Sequence, residues 1–283
     1  MAASHQLVDL GRASAIKTLR PFPAVACRLM KLVHGHDKID FGEISRVLTA
    51  DAAFSSQVLR VANSALFGAR YEVKSILQAL CVVGVDRLRD LVVTVALKDY
   101  VGCYDNLALQ RCWRHNLATA LWCDTLADHC GIDRPMGYTA GILHDIGRIA
   151  LLMSFPDEYA AFLDVSPAGD LDELKAERRL CDADHCQVGG SLAMSWNFSP
   201  ILNDVIAHHH DEITSETPRV RLLVQSACMA ATMSGFHAAG SPQKWHPARL
   251  ELILPHGDGS STPCSELMEK VAWKLNRTEC SLL

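Results

Sequence analysis

Strand-like alternation of apolar and polar residues is scarce along this chain of 283 residues, which leaves little from which to build a sheet. No CxxC pair occurs among its eleven cysteines, and their odd number argues against a disulfide framework. Several of them, including Cys27, Cys81 and Cys123, fall inside apolar helical patterns and read as reduced, small hydrophobes. The start MAASHQLVDLGRAS has no basic segment followed by an apolar one, so export is not supported and a cytoplasmic protein is expected. The most apolar stretch, Ile76 to Leu97, is broken by Asp86, Arg87, Arg89 and Asp90, which excludes a membrane span there. A formal net charge of −5 with interspersed signs provides no basic face, and nucleic acid ranks last among partners. Internal repeats and low-complexity tracts are absent as well.

The 49% of apolar residues recur at intervals of three and four, as in Val25, Leu29, Leu32, Val33 and in Phe54, Val58, Leu59, Ala62. This predicts an all-α chain. Asp40 with Glu43 resembles a capping box, Asp51 and Ser75 are placed to cap the next helices, and Gly35, Gly68 and Gly84 to close the preceding ones. Five short helices fit before residue 100. A longer amphipathic helix is expected from about Leu107 to Cys130, then a loop GIDRPMG and a helix around Tyr138 to Met153. Asp182 or Asp184 is placed to cap a helix reaching Trp196, and Ser199 with Pro200 to start another that ends in His208, His209 and His210. The helical phase of Ile201, Leu202, Val205 and Ile206 turns His209 inward. Beyond about Gly235 the pattern weakens, until Thr262 and Pro263 open a last amphipathic helix through Leu275.

The residues that carry chemistry lie between about 107 and 230. His144 and Asp145 are adjacent in LHDIGR (143 to 148), with His115 upstream and His185, His208 and His209 downstream. Imidazole and carboxylate together suit divalent transition metals. The simpler alternative for His144 and Asp145 is a hydrogen-bonded pair that locks two helices together. Arg148, four residues after His144, is a phosphate-contact candidate, or else an ordinary ion-pairing residue.

In PFPAVACRLMKLV, LTADAAFSSQVLRVANSALFG and VKSILQALCVVGVDRLRDLVV, followed by TAGILHDIGRIALL and PILNDVIAHHHDE, the chain resembles the HDOD family, HD-related output domains of bacterial signalling proteins. The resemblance spans roughly residues 15 to 235. It implies an N-terminal helical subdomain (1–105) packed on an HD-like helical bundle (106–235), followed by a C-terminal extension (236–283). It also implies His115, His144 and Asp145 as retained metal positions. His185, His208 and His209 resemble the additional histidines of two-metal HD-GYP phosphodiesterases, but the residues after His210 lack the Gly-Tyr-Pro phrase, so cyclic di-GMP is not supported as a substrate. Where active HD enzymes carry a further aspartate, LLVQSACMAA offers Cys228, or Ser226 in a register shifted by two. No carboxylate stands at either place. Cys228 is thus a further metal candidate, or simply a small helix residue.

The resemblance implies a regulatory signal-transduction module, non-catalytic, acting through a signalling protein partner or a small ligand, with homodimer formation open. A degenerate HD site would hold zinc, iron or manganese, or none. The alternative is a metal-dependent phosphohydrolase acting on a nucleotide or other phosphoester.

Overall fold

The computed structural model describes residues 21–34, 41–63, 72–102, 106–165, 171–240 and 264–282, and among them there is no strand. The N-terminal part contains α1 (Ala24–His34), α2 (Phe41–Thr49), α3 (Ala52–Ala62), α4 (Ile76–Val83) and α5 (Val85–Val101). There follow α6 (Leu107–Cys130), α7 (Arg134–Leu143), α8 (Ile146–Ser154), α9 (Pro156–Val165), α10 (Leu171–Cys181), α11 (His185–Ser195), α12 (Pro200–His208), α13 (Arg219–Met233) and α14 (Cys264–Leu282). The protein is all-α, with an N-terminal group of helices packed on an HD-like bundle. None of the described helices is long and apolar enough to cross a membrane.

Local sequence sets most boundaries. Asp51 accepts a hydrogen bond from the Phe54 amide and Ser75 from that of Gln78, each satisfying a donor that a helix start leaves open. Ser199 does the same for Leu202, with Pro200 as the first helical residue. Asp184, rather than Asp182, starts α11: its side chain accepts from the Gln187 amide while the Gln187 side chain reaches back to the Asp184 amide. Asp182 instead takes a left-handed φ of 63° directly after α10. The expected capping box at Asp40 and the closing glycines Gly35 and Gly68 lie outside the described residues. Asp184→Ala should cost about 1–2 kcal/mol in a denaturant melt, because it removes the cap together with the Arg178 ion pair at 2.6 Å.

Two expected boundaries differ. Residues 134–137, expected in a loop, form the first turn of α7, where Asp133 caps and Pro135 fits without loss of a helix bond. The single helix expected around Tyr138 to Met153 is instead broken at His144 and Asp145, whose turn separates α7 from α8. The cause is a contact with α11: a Cβ at Gly147 would stand 1.9 Å from the carbonyl oxygen of His185. The start of α8 is thereby seated against the start of α11.

The core is continuous through both parts of the chain. Helix α6 packs on α7 and α13, α7 on α5, and α11 on α8 and α12. Close seating of α7 on α6 depends on Gly141, where a Cβ would fall 2.8 Å from the Ala120 Cα. Between the N-terminal helices and the bundle, Thr94 and the Tyr138 hydroxyl share a buried hydrogen bond of 2.7 Å. Phe22 and Tyr100 meet Trp196 with ring centroids 5.4 and 5.3 Å apart. Helix α14 packs on α6 and α3 through the fully buried Val271 and Leu275 and continues past the expected end at Leu275 to Leu282. Lys274 ties it to Asp124 at 2.7 Å and Glu279 to Arg114 at 2.8 Å.

Candidate metal centre

The break between α7 and α8 places His144 and Asp145 at the centre of the bundle, 1% and 2% exposed. Around them stand His115 from the middle of α6, His185 from the first position of α11, His209 and His210 from the turn that ends α12, and Cys228 from α13. Ring centroids run in a chain: His115 to His144 5.3 Å, His144 to His209 5.0 Å, His209 to His185 5.3 Å, and His210 4.9 Å from His185. Two groups have ligand atoms within 4.8 Å of one another, His115 with His144 and Cys228, and His185 with His209 and His210.

The imidazoles are oriented by what their Nδ1 atoms touch. Nδ1 of His115 lies 2.7 Å from the Phe236 carbonyl oxygen, that of His144 2.8 Å from Gly141 O, and that of His209 3.1 Å from Ile206 O. Because a carbonyl oxygen accepts, each Nδ1 carries the hydrogen and each Nε2 presents a lone pair. His185 Nδ1 donates to Glu177 Oε2 at 2.7 Å, a carboxylate–imidazole pair of the kind that orients metal-binding histidines. Nε2 of His144, His185 and His209 and Oδ1 of Asp145 are all buried without a hydrogen-bond partner. Asp145 Oδ1 lies 3.5 Å from His185 Nε2 and 3.9 Å from His209 Nε2. Unpaired buried polar atoms that converge in this way are costly unless something else satisfies them. A divalent cation would do so, and the donor set of imidazoles, a carboxylate and a thiol fits a transition metal.

Electrostatics point the same way. Burial lowers the pKa of His115, pushes His144 down to about 3, and with the neighbouring imidazoles holds His209 and His210 well below the ordinary range, which favours the neutral form that a metal would require. His185 is the exception: burial and Arg148 act to lower it, but the carboxylates of Glu177 and Asp145 outweigh them and raise it well above the ordinary value. Burial opposes ionisation of Asp145, yet Arg148 and the surrounding imidazoles hold it well below the usual carboxylate range. Arg148 is itself 4% exposed, with Nε 2.7 Å from Asp145 Oδ2 and Nη1 paired with Glu173 and with Glu177 at 3.3 Å. Glu177 Oε1 also accepts from the Tyr159 hydroxyl at 2.6 Å. Among the described residues Asp145, Glu173 and Glu177 share the Arg148 guanidinium, and a cation in the imidazole pocket, or a proton on His185, would add positive charge beside them.

Arg148 is therefore engaged by carboxylates inside the protein. His208 faces away from the cluster, half exposed and paired with Asp211 at 2.9 Å. Its neighbour His210, not anticipated as a site residue, takes the place beside His185 and His209. Cys228, and not Ser226, stands by His115, with Sγ 3.4 Å from Nε2. Burial, with Asp145 adding to it, pushes the Cys228 thiol up to about 12. Glu173, Glu177 and Tyr159 were also not anticipated. Their one trace in the sequence is the four-residue spacing of the two glutamates, which sets them on one helix face without indicating that this face is buried.

Fold and site together define an all-helical protein with an HD-type histidine and aspartate cluster. The chain belongs to the HDOD family, whose domain model matches residues 19–212. A solved HDOD domain protein of unknown function from Geobacter sulfurreducens superposes with a TM-score of 0.74 at 21% identity, covering 96% of this chain and 97% of that one. A candidate phosphohydrolase from Shewanella amazonensis SB2B gives 0.68 at 24% identity, covering 96% and 98%. A candidate signal transduction protein from Marinobacter aquaeolei VT8 gives 0.70 at 20% identity, covering 95% of this chain and 63% of that one. These likenesses establish the fold. Among curated proteins, one from Treponema pallidum without an assigned function is 22% identical over 202 residues, 70% of this chain and 39% of its own length. Ribonuclease Y of Opitutus terrae is 26% identical over 148 residues, 51% of this chain and 23% of its own. The chain thus spans well under half the length of either curated relative.

Proposed function

We propose that this chain is a regulatory signal-transduction module of HD descent, non-catalytic, that acts by binding a protein partner or small ligand and whose imidazole pocket holds a divalent transition metal. The observation that carries this reading is the half-buried thiol of Cys228 beside His115 Nε2, 3.4 Å away, with no carboxylate supplied from α13 at that place. An anionic oxygen there would strengthen binding of magnesium or manganese; a thiol does not. Arg148, the cation nearest the pocket, is held by Asp145, Glu173 and Glu177 and so is not presented to a phosphate. When bound, the metal would supply positive charge among the imidazoles, beside the buried carboxylate of Asp145. The protein's own residues orient the rings through Gly141, Phe236, Ile206 and Glu177.

A second reading, a metal-dependent phosphohydrolase acting on a nucleotide or other phosphoester, is favoured by the convergence of unpaired Nε2 atoms on Asp145 Oδ1. One pair of measurements separates the two. Elemental analysis of the purified protein should find stoichiometric metal, and phosphoesterase assays with added zinc, manganese or iron should find no turnover that depends on the site. Metal-dependent hydrolysis that disappears in His144→Ala and Asp145→Ala would overturn the regulatory reading, and a folded protein free of metal under every loading condition would remove the metal from it.

A further inference from the structure

We infer that the pocket is two ion sites of unlike chemistry, a thiolate-bearing site of His115, His144 and Cys228 that selects zinc-class ions, and an imidazole site of His185, His209 and His210 served by Asp145. This rests on the reading that the pocket binds metal. It adds that the adjacent residues of the HD pair serve different ions.

The division starts in the backbone. At the break between α7 and α8, His144 has φ −53° and ψ −37°, the last helical conformation of α7, whereas Asp145 has φ −109° and ψ 26°. The His144 ring stands 5.3 Å from His115 and 5.0 Å from His209, and its ligand atom groups with those of His115 and Cys228, whereas Asp145 Oδ1 lies near Nε2 of His185 and His209.

The first group has the dimensions of a coordination shell. With metal–nitrogen bonds of about 2.0 Å and metal–sulfur bonds of about 2.3 Å, a tetrahedral centre sets nitrogen and sulfur ligands roughly 3.5 Å apart. His115 Nε2 and Cys228 Sγ stand 3.4 Å apart, and all three ligand atoms lie within 4.8 Å of one another. Both rings have their Nδ1 hydrogens committed to carbonyl oxygens, and His144 Nε2 is buried and unpartnered. Two imidazoles and a thiolate form a soft set that favours zinc, or cobalt as its spectroscopic substitute, over magnesium and manganese. The set supplies three ligands, which leaves the fourth tetrahedral position to water or a small ligand.

Sulfur does not reach the second group in the same way. Cys186 Sγ is 3.8 Å from His209 Nδ1, the nitrogen bonded to the Ile206 carbonyl, and so lies on the side of the ring away from Nε2. The second group therefore binds through imidazole, with Asp145 Oδ1 nearby, and is less selective.

Cobalt(II) titrated into the metal-free protein tests the division. We expect two equivalents to bind, a thiolate-to-cobalt charge-transfer band to grow with one of them, and zinc, but not a large excess of magnesium, to remove the band. Cys228→Ser should lose the band and keep one equivalent, while His210→Ala should keep the band and lose the other, with helical circular dichroism confirming each fold. The wild-type spectrum decides the matter even if a variant fails to fold. Stoichiometric cobalt without a thiolate band, or a band that survives Cys228→Ser, overturns the division and leaves the metal reading intact; no stoichiometric cobalt in folded protein overturns both.

Discussion

Gly147→Ala should destabilise the protein by about 3 kcal/mol or more and lower its melting temperature by roughly 6 °C or more. The added Cβ would stand 1.9 Å from the His185 carbonyl oxygen, 2.8 Å from its carbon and 2.9 Å from the Gly189 nitrogen. All three are backbone atoms in the first turns of α11, so no side chain can rotate away and the helix as a whole must move. Gly189 faces the same contact, since a Cβ there would fall 2.7 Å from the Ile206 side chain and 3.3 Å from the Gly147 nitrogen. The consequence reaches the site because His185 is the first residue of α11. Displacement of its backbone draws Nε2 away from Asp145 and Nδ1 away from Glu177, so metal uptake should fall together with stability. Gly84→Ala provides the contrast. Gly84 has a φ of +84° but nothing within 4 Å of an added Cβ, so strain alone applies, about 1–2 kcal/mol, and metal content should not change. Calorimetry and metal analysis on both variants check the expectation; a Gly147→Ala protein as stable as the wild type would show that α8 and α11 are not seated on each other as described.

The sequence made the helical architecture legible because caps and apolar spacing are local signals. The termini of α6 at Leu107 and Cys130, and the caps Asp51, Ser75 and Ser199, depend on residues within one turn of the boundary they set. The break at His144 and Asp145 was not legible because its cause is 40 residues away in the chain, at the backbone of His185. His209 was placed correctly inside by the phase of α12, where it is 4% exposed. That same phase does not apply to His210, because His209 is the cap residue of α12, its backbone still helical at φ −67°, and His210 lies beyond it. Glu173 and Glu177 were hidden for a different reason. Helix α10 reads LDELKAERRLC, a charged segment that suggests solvent on every side, yet the two glutamates are 1% and 0% exposed because Arg148 brings a counter-charge to them from α8. A buried ion cluster is a property of two distant segments together, and neither discloses it alone.

Removal of that counter-charge should have the other large effect. Arg148→Met deletes the guanidinium from a site where Asp145, Glu173 and Glu177 remain buried, and loss of one partner from such a cluster costs about 3–5 kcal/mol. The dependence on pH is what distinguishes this from loss of packing. In the native protein burial opposes the Glu177 carboxylate, but His185 and Arg148 hold its pKa at about 2, below its ordinary value of 4.5. A lowered folded pKa contributes stability that is complete above the ordinary value and is lost as pH falls toward the folded one, so the wild type gives up this contribution between 4.5 and about 2. Without Arg148 the folded pKa values of Asp145 and Glu177 move upward, since Arg148 lowers both. A raised folded pKa carries a penalty that is full at neutral pH and disappears once the pH is below the ordinary carboxylate range, where folded and unfolded chains are both protonated. The stability gap between wild type and Arg148→Met should therefore be widest near neutrality and narrow steadily on acidification, as read from urea unfolding at a series of pH values. A gap that stays constant with pH would mean that Arg148 contributes through its hydrocarbon stem rather than its charge. Metal gives an independent readout, because the variant frees Asp145 Oδ2 and leaves the pocket more negative. A bound divalent cation should then restore more stability to Arg148→Met than it adds to the wild type, since it replaces the positive charge that the substitution removed.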